Sequence, residues 1–431
     1  MKLKSFIALE RWPTVTAVMF VASMATLLRS YVAIKLLFLL LFLIASLLSI
    51  TLRRPQVVVY RRLVLFYLWL GLAAAVWAVI GLLHPDNFAE GATDALRLYV
   101  VWSAAFVVLY TLLRVGPSLR LIHAAMVIAG ILIPIINFVG LYGEINHAGL
   151  ISEDMRQELS MKFGIGDNLI VISSHNIGAM FLIAPYLLSM QFRTDEGDSK
   201  ANSILTKLAL VLSLILVAIS GRRALWLLVA FTPFAVLLLS RLTGGYGLMK
   251  AGRRRFLLAY AAAGVIGLSM LFILPDDALD IPSVEHLKYA FSSKDERTIL
   301  APYLINGFME SPILGVGFGG YAGYLRNSQR PWTYELTYHT LLFNTGLVGA
   351  TFLLALFSIY LWFVLKLLRR FKDGSAIPFG LIIALGCLLV GAYSDPYLGS
   401  FDTLFFVGLL PYLSTFQQGF DQPRLAAGVA T

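Results

Sequence analysis

Charge is scarce in this 431-residue chain. Asp, Glu, Lys and Arg make up 13% of it, while 59% is hydrophobic and the mean hydropathy is +0.80. Such a balance excludes a set of ordinary soluble domains and indicates a polytopic membrane protein. Cysteine is nearly absent as well. The single one, Cys387, lies inside an apolar run, so one chain can form neither a disulfide nor a thiolate metal site. D-x-D, H-E-x-x-H and G-x-S-x-G are all missing. A metal-bridged sugar diphosphate, a zinc-protease centre and a nucleophile elbow therefore lack their usual carriers. No repeat of about 20 to 50 residues and no low-complexity tract is present.

What the chain has in quantity is long apolar runs. They lie near residues 13–28, 32–52, 63–83, 97–113, 121–142, 168–192, 204–220, 224–240, 256–274, 340–368, 376–393 and 402–417. A span needs roughly 20 apolar residues, and a lipid-exposed backbone must satisfy its own hydrogen bonds. The reading is thus an all-α polytopic membrane protein of about 12 transmembrane helices, the first two close enough to form one hairpin. The N-terminal MKLKSFIALERWP meets the first run without a small-residue cleavage site, which predicts a retained span.

The formal net charge of +10 would suggest nucleic acid in a soluble protein. Here the positive-inside rule accounts for it, and no nucleic-acid partner is expected. Placing the N-terminus in the cytoplasm puts most of the 34 Lys and Arg on that side, and both termini with them. The chain then divides into spans over 1–274, a long outward loop over 275–339, further spans over 340–417 and a cytoplasmic tail over 418–431. Segments 84–96 and 144–167 also face outward. Loops as long as 275–339 are usually functional rather than connective.

Candidate chemistry concentrates at a few outward positions. Arg222 and Arg223, in AISGRRALWLL, stand between two runs on the side the charge bias disfavours. They either snorkel to headgroups or turn inward to hold an anion, for which a guanidinium fork suits phosphate. Arg297 opens an amphipathic pattern in which Ile299, Leu300, Tyr303, Leu304, Phe308 and Met309 recur at helical spacing, with Pro312 beyond its end. It is either a solvated helix start or a ligand. The GVGFGG stretch has dinucleotide-fingerprint spacing without the flanking βαβ pattern, so it is expected to be a tight, flexible turn. His339 opens the run HTLLFNTGLVG; it is a structural hydrogen-bonding residue or a base placed at the interface. His84, His123, His147, His175 and His286 are less well placed, with His175 expected inside a span. Asp395 and Asp402, in AYSDPYLGSFD, are expected to cap a helix, with orientation of His339 or contact to a sugar hydroxyl as the other reading.

Three of these features in order resemble the bacterial O-antigen ligase superfamily, which also includes O-antigen polymerases and protein O-oligosaccharyltransferases. SGRRALWL is similar to the family's first motif, with its arginine falling best on Arg223 although Arg222 stands where a small polar residue is usual. Arg297 followed by PILGVG at 312–317 is similar to the second. His339 with Gly346 and Gly349 is similar to the third. The resemblance covers about 130 residues.

It implies a GT-C-like glycosyltransferase in a Gram-negative inner membrane, with its active site on the periplasmic face and short helices in the long loop. The donor would be an undecaprenyl diphosphate-linked glycan and the acceptor a sugar hydroxyl of lipid A-core, with membrane lipids as the surroundings. His339 would be the general base, and Arg223 or Arg222 together with Arg297 would bind the diphosphate. Tyr338 and Asp395 would be supporting residues. No cofactor and no metal is implied, and a single displacement inverts the anomeric centre. A polymerase or protein O-oligosaccharyltransferase shares the donor but not the acceptor. A lipid-linked glycan flippase or transporter is the rival of another class, which should show repeats, interrupted helices or mid-membrane charge.

Overall fold

The computed structural model describes residues 2–53, 58–113, 118–166, 169–192, 200–244, 296–325, 328–370, 376–393 and 397–421. In chain order the helices are α1 (Lys2–Thr26), α2 (Val32–Arg53), α3 (Arg61–Leu83), α4 (Ala89–Leu96), α5 (Trp102–Leu113), α6 (Ser118–Ile145) and α7 (Glu153–Glu158). A hairpin of β1 (Lys162–Gly166) and β2 (Leu169–Ser173) follows, then a 3-10 turn over Asn176–Ala179. The chain continues with α8 (Met180–Phe192), α9 (Lys200–Ile219), α10 (Arg223–Leu242), α11 (Glu296–Glu310), α12 (Thr337–Arg370), α13 (Ala376–Gly391), α14 (Phe401–Val407) and α15 (Leu409–Asp421). Seven described segments are long and apolar enough to cross a membrane, and four shorter apolar helices accompany them. The protein is a mostly helical, multi-pass membrane protein.

Exposed side chains agree with a lipid surround. On α2, Leu37, Leu40, Leu47 and Leu48 are each more than half exposed, and they recur on one face. The opposite side of the hairpin is closed by a stacked pair, Phe20 and Phe42, with centroids 6.2 Å apart.

The chain forms two compact units. The first comprises Met1–Ser49, Leu119–Ile299 and Gly374–Gly391. Its centre is α8, apolar all round because α9, α10 and α13 surround it. Small residues permit the close approach: a Cβ on Gly380 would stand 2.8 Å from the Ser189 hydroxyl, and one on Gly391 2.4 Å from the Phe181 ring. His123 is satisfied here as a core histidine, its Nδ1 2.8 Å from the Tyr186 hydroxyl and its Nε2 3.4 Å from Thr206 Oγ1.

The second unit comprises Ile50–Ser118, Leu300–Asp373 and Ala392–Thr431. Its centre is α3, against which α4, α5, α12 and α15 pack. Phe66, Tyr67, Phe106, Tyr110, Phe405 and Tyr412 form its aromatic core. Arg62 is held by packing as well as charge, donating Nη1 to the Ser414 carbonyl at 3.1 Å while lying 4.1 Å over Phe363.

Three sequence expectations change. The run 168–192 is not one helix, because Ile170, Val171 and Ile172 pair as a strand with 163–165. Apolar counting cannot separate a short buried strand from the start of a span. The segment 84–96 is helical from Ala89 and continues through a π-turn over Arg97–Val101 into α5, so the span reaches Ala89. The run 340–368 is interrupted: within α12, Gly346 has φ 60° and ψ −167°. The run 256–274 and the loop up to residue 295 lie outside the described residues.

Candidate functional site

The glycine-rich segment 312–320 and the break in α12 are one structure. Val316 N–H donates to the Phe343 carbonyl at 3.1 Å and Gly317 N–H to the Asn344 carbonyl at 2.9 Å, just before the break. Just after it, the N–H groups of Leu347 and Val348 donate to the carbonyls of Pro312 and Ile313 at 2.9 and 3.1 Å. The polar groups released where the helix breaks are thus taken up by the glycine segment, as a membrane interior requires. Gly315 and Gly346 face each other so closely that a Cβ on either would meet the other's backbone nitrogen at 2.6 Å.

The same segment is pinned to α3 and the turn beyond it. Phe318 N–H donates to the Trp77 carbonyl at 3.0 Å, Trp77 Nε1 to the Leu314 carbonyl at 2.8 Å and Asn87 Nδ2 to the Val316 carbonyl at 2.7 Å. The expected flexible turn is therefore a clamped one. Its glycines serve left-handed backbone and backbone-to-backbone contact rather than mobility.

His339 stands on the half-helix that this clamp isolates, Thr337 to Thr345, about two and a half turns long. It is half-buried, and its Nδ1 is enclosed without a hydrogen-bond partner among the described residues. The Tyr393 ring lies 5.9 Å from the imidazole, and Tyr338 is 6.4 Å from Tyr393. One turn on, Phe343 anchors the half-helix in a cluster with Leu300, Leu304, Val316, Tyr334 and Leu336. Tyr334 locks the chain entering that helix. Its hydroxyl accepts from Ala322 N–H at 2.8 Å, and burial pushes its pKa up to about 12, so it remains a neutral phenol.

Arg297 lies in the first turn of α11, which forms where expected and ends before Pro312. The buried face of that helix is narrower than the periodicity suggests. Leu300 and Leu304 are buried, whereas Ile299, Tyr303 and Met309 are exposed. Arg297 is half-buried at positions i−3 and i−7 to the two buried leucines, hence on their face.

Arg222 belongs to the first unit. Gly221, at φ 63°, packs on Val171 and reverses the chain between α9 and α10. Arg222 then occupies the cap position of α10 with extended backbone, so its side chain leaves the helix direction and donates Nη2 to the Ser174 carbonyl at 3.1 Å. Ser174 is itself fixed: its Oγ lies 2.8 Å from Asn137 Oδ1 and 2.5 Å from Asn176 Oδ1, and all three residues are buried. Arg223 is the first residue of α10, and its side chain lies outside the described residues.

No known family matches this chain, and no curated protein does.

Asp395 lies outside the described residues. Asp402 is buried in the first turn of α14, but the cap is Ser400, whose Oγ accepts from Thr403 N–H at 3.4 Å. Sequence reasoning passed over His175, Arg29 and Lys35. His175 follows the hairpin rather than sitting inside a span, and its N–H donates to the Leu159 carbonyl at 2.8 Å. Burial, then the charges of Arg29 and Arg222, lower its pKa. Lys35, one turn into α2, is 1% exposed, and an ionisable residue buried in a span is a functional candidate. The available signal was a cation in an apolar run.

Proposed function

We propose that this protein is an O-antigen ligase, transferring glycan from undecaprenyl diphosphate to a sugar hydroxyl of lipid A-core at the periplasmic face of the inner membrane. The observation that carries the reading is the clamp between 312–317 and Gly346, because it ties two of the three motif segments into a single rigid support for His339. A base must be held in place but reachable, and a half-buried imidazole on a short, anchored half-helix meets both demands. In this reading about 12 spans carry a GT-C-like site, with the long loop 275–339 on the periplasmic side.

The reaction is one displacement. His339 takes the proton of the acceptor hydroxyl as its oxygen bonds to the anomeric carbon. The bond from that carbon to the diphosphate oxygen breaks, and undecaprenyl diphosphate departs with the electron pair. Arg222 or Arg223, with Arg297, bears the charge that develops on the leaving group. Attack opposite the leaving group inverts the anomeric centre. No metal is required, since the guanidiniums supply the positive charge. Polymerase and protein O-oligosaccharyltransferase activities use the same donor with another acceptor.

The break in α12 favours one rival, a flippase for the same lipid-linked glycan, because discontinuous helices are common in transporters. Detergent-solubilised protein has no two compartments, so it can transfer glycan but cannot display transport. We expect solubilised wild type to glycosylate lipid A-core from a labelled lipid diphosphate donor, unaffected by chelators. His339→Ala should lower the rate about 10² to 10⁴-fold, and Arg297→Ala and Arg222→Ala should raise the donor KM, each in folded protein. Full activity of folded His339→Ala would sink the assigned mechanism. Glycan added to the donor instead of lipid A-core would identify a polymerase.

A further inference from the structure

Arg29, His175 and Arg222 are distant in sequence, yet an unbroken series of short hydrogen bonds gathers them around one patch of the first unit. Ser30, beside Arg29, donates Oγ to the Glu158 carbonyl at 2.8 Å. Leu159, the next residue, accepts the His175 N–H at 2.8 Å. Ser174, which precedes His175, accepts Arg222 Nη2 at 3.1 Å. The turn that carries Arg29 is strained into this position: Arg29 and Tyr31 have φ of 62° and 50°, left-handed values that non-glycine residues hold only where the surroundings impose them.

A second observation concerns donors. Asn176 is fully buried, and its Oδ1 is occupied by Ser174 Oγ at 2.5 Å and Asn137 Nδ2 at 3.1 Å. Its Nδ2 is left buried without a hydrogen-bond partner among the described residues, and so is His175 Nδ1. Buried amide donors are nearly always satisfied, so one left over on the residue that follows His175 calls for an acceptor. The charged groups that act on His175 are Arg29 in the α1–α2 turn, Arg222 before α10 and the exposed Glu158 on α7, and the neutral phenol of Tyr31 faces Glu158 and Asp154. Arg29 and Arg222 are half-buried and the two carboxylates are exposed.

The geometry points to a phosphate-ester site formed by Arg29, His175 and Arg222, in which Arg29 and His175 complete the diphosphate pocket that the proposed reaction assigns to Arg222. The isoprenoid source of the phosphate rests on that reaction; the anion site itself does not. Guanidiniums grip phosphate oxygens bidentately, and the His175 ring is held beside them by its hydrogen bond to the Glu158 backbone.

The test is binding to purified full-length protein in detergent, by thermophoresis, with undecaprenyl diphosphate, inorganic pyrophosphate and phosphatidylglycerol as separate probes. Wild type is expected to bind undecaprenyl diphosphate. Arg29→Gln and His175→Gln should each weaken binding roughly 10-fold or more, Arg29→Lys should recover part of the loss by restoring the charge without the fork, and ligand-free melting at about pH 8, above the His175 titration, should be unchanged in all three. Arg29-dependent binding of phosphatidylglycerol with equal affinity supports the site and assigns it to a headgroup; equal binding of pyrophosphate supports it and removes the isoprenoid requirement. Wild-type affinity in both Arg29→Gln and His175→Gln, or no binding of any of the three probes by folded wild type, overturns it. Arg29-dependent binding without any glycan transfer would leave this site standing and remove the transferase reading.

Discussion

At the scale of single residues, His84, His175 and His339 each enclose an Nδ1 without a hydrogen-bond partner among the described residues, and the charges acting on His175 give it a testable pH dependence. Burial, with the charges of Arg29 and Arg222 adding to it, holds the folded pKa of His175 below the ordinary value. The consequence for stability has a definite sign. Below about pH 6.5 an unfolded chain takes up a proton on this imidazole more readily than the folded chain does, so stability is full above about 6.5 and declines as pH falls below that value. Thermal melts of wild type and His175→Gln between about pH 5 and 8 should show an acid-side decline in the wild type that the variant reduces. Identical profiles would remove the assigned burial and charge effects. Arg222 and Arg223 illustrate how little adjacency says about role. Arg222 holds an extended backbone at a helix cap and reaches the Ser174 carbonyl, while Arg223 begins the helix.

At the scale of elements, the clamp of segment 312–320 on α3 and α12 is the most specific construction in the second unit. A Cβ on Gly317 would stand 2.1 Å from the Gly81 nitrogen, and the residue's φ is 86°. Strain at that φ alone costs about 1–3 kcal/mol for alanine, and the collision with backbone adds to it. Gly317→Ala and Gly346→Ala are expected to lower the melting temperature and to reduce His339-dependent transfer together, whereas Gly386→Ala, with nothing within 4 Å of its Cβ, should leave both unchanged. Wild-type melting of Gly317→Ala would show that the segment yields and that the clamp is not rigid. The interruption of α12 is tolerated because segment 312–317 takes up four of its backbone groups, the same physical condition that keeps other backbone polar groups in helices here.

At the scale of the whole molecule, the lone, buried Cys387 makes topology straightforward to measure. In a Cys387→Ala background, Asn146→Cys and Arg61→Cys introduce thiols at exposed positions on opposite ends of the proposed spans. A membrane-impermeant maleimide added to intact spheroplasts should label Asn146→Cys and reach Arg61→Cys only after lysis. The reverse pattern would place both termini and the proposed active face on the other sides. Lys35 belongs to this scale too. A buried cation near the start of a span is costly in lipid, so its presence implies a local polar environment.

Periodicity and composition were sufficient for the helical, multi-pass character, the α1–α2 hairpin and the reach of α11, because lipid leaves a long apolar run few options but a helix. Arg222, Arg297, His339 and the glycine cluster also stand out in the sequence, since each breaks the apolar pattern at a span boundary. What only the tertiary structure decided depends on contacts between distant segments: that the glycine turn is clamped, that α12 is broken where the turn meets it, and that Arg29 and His175 share a patch with Arg222. Hydrogen bonds from residue 316 to 343 and from residue 30 to 158 leave no local pattern. The hairpin at 162–173 was hidden for a related reason: its short strands hold apolar residues that read equally well as the beginning of a span, and only their pairing makes them a sheet.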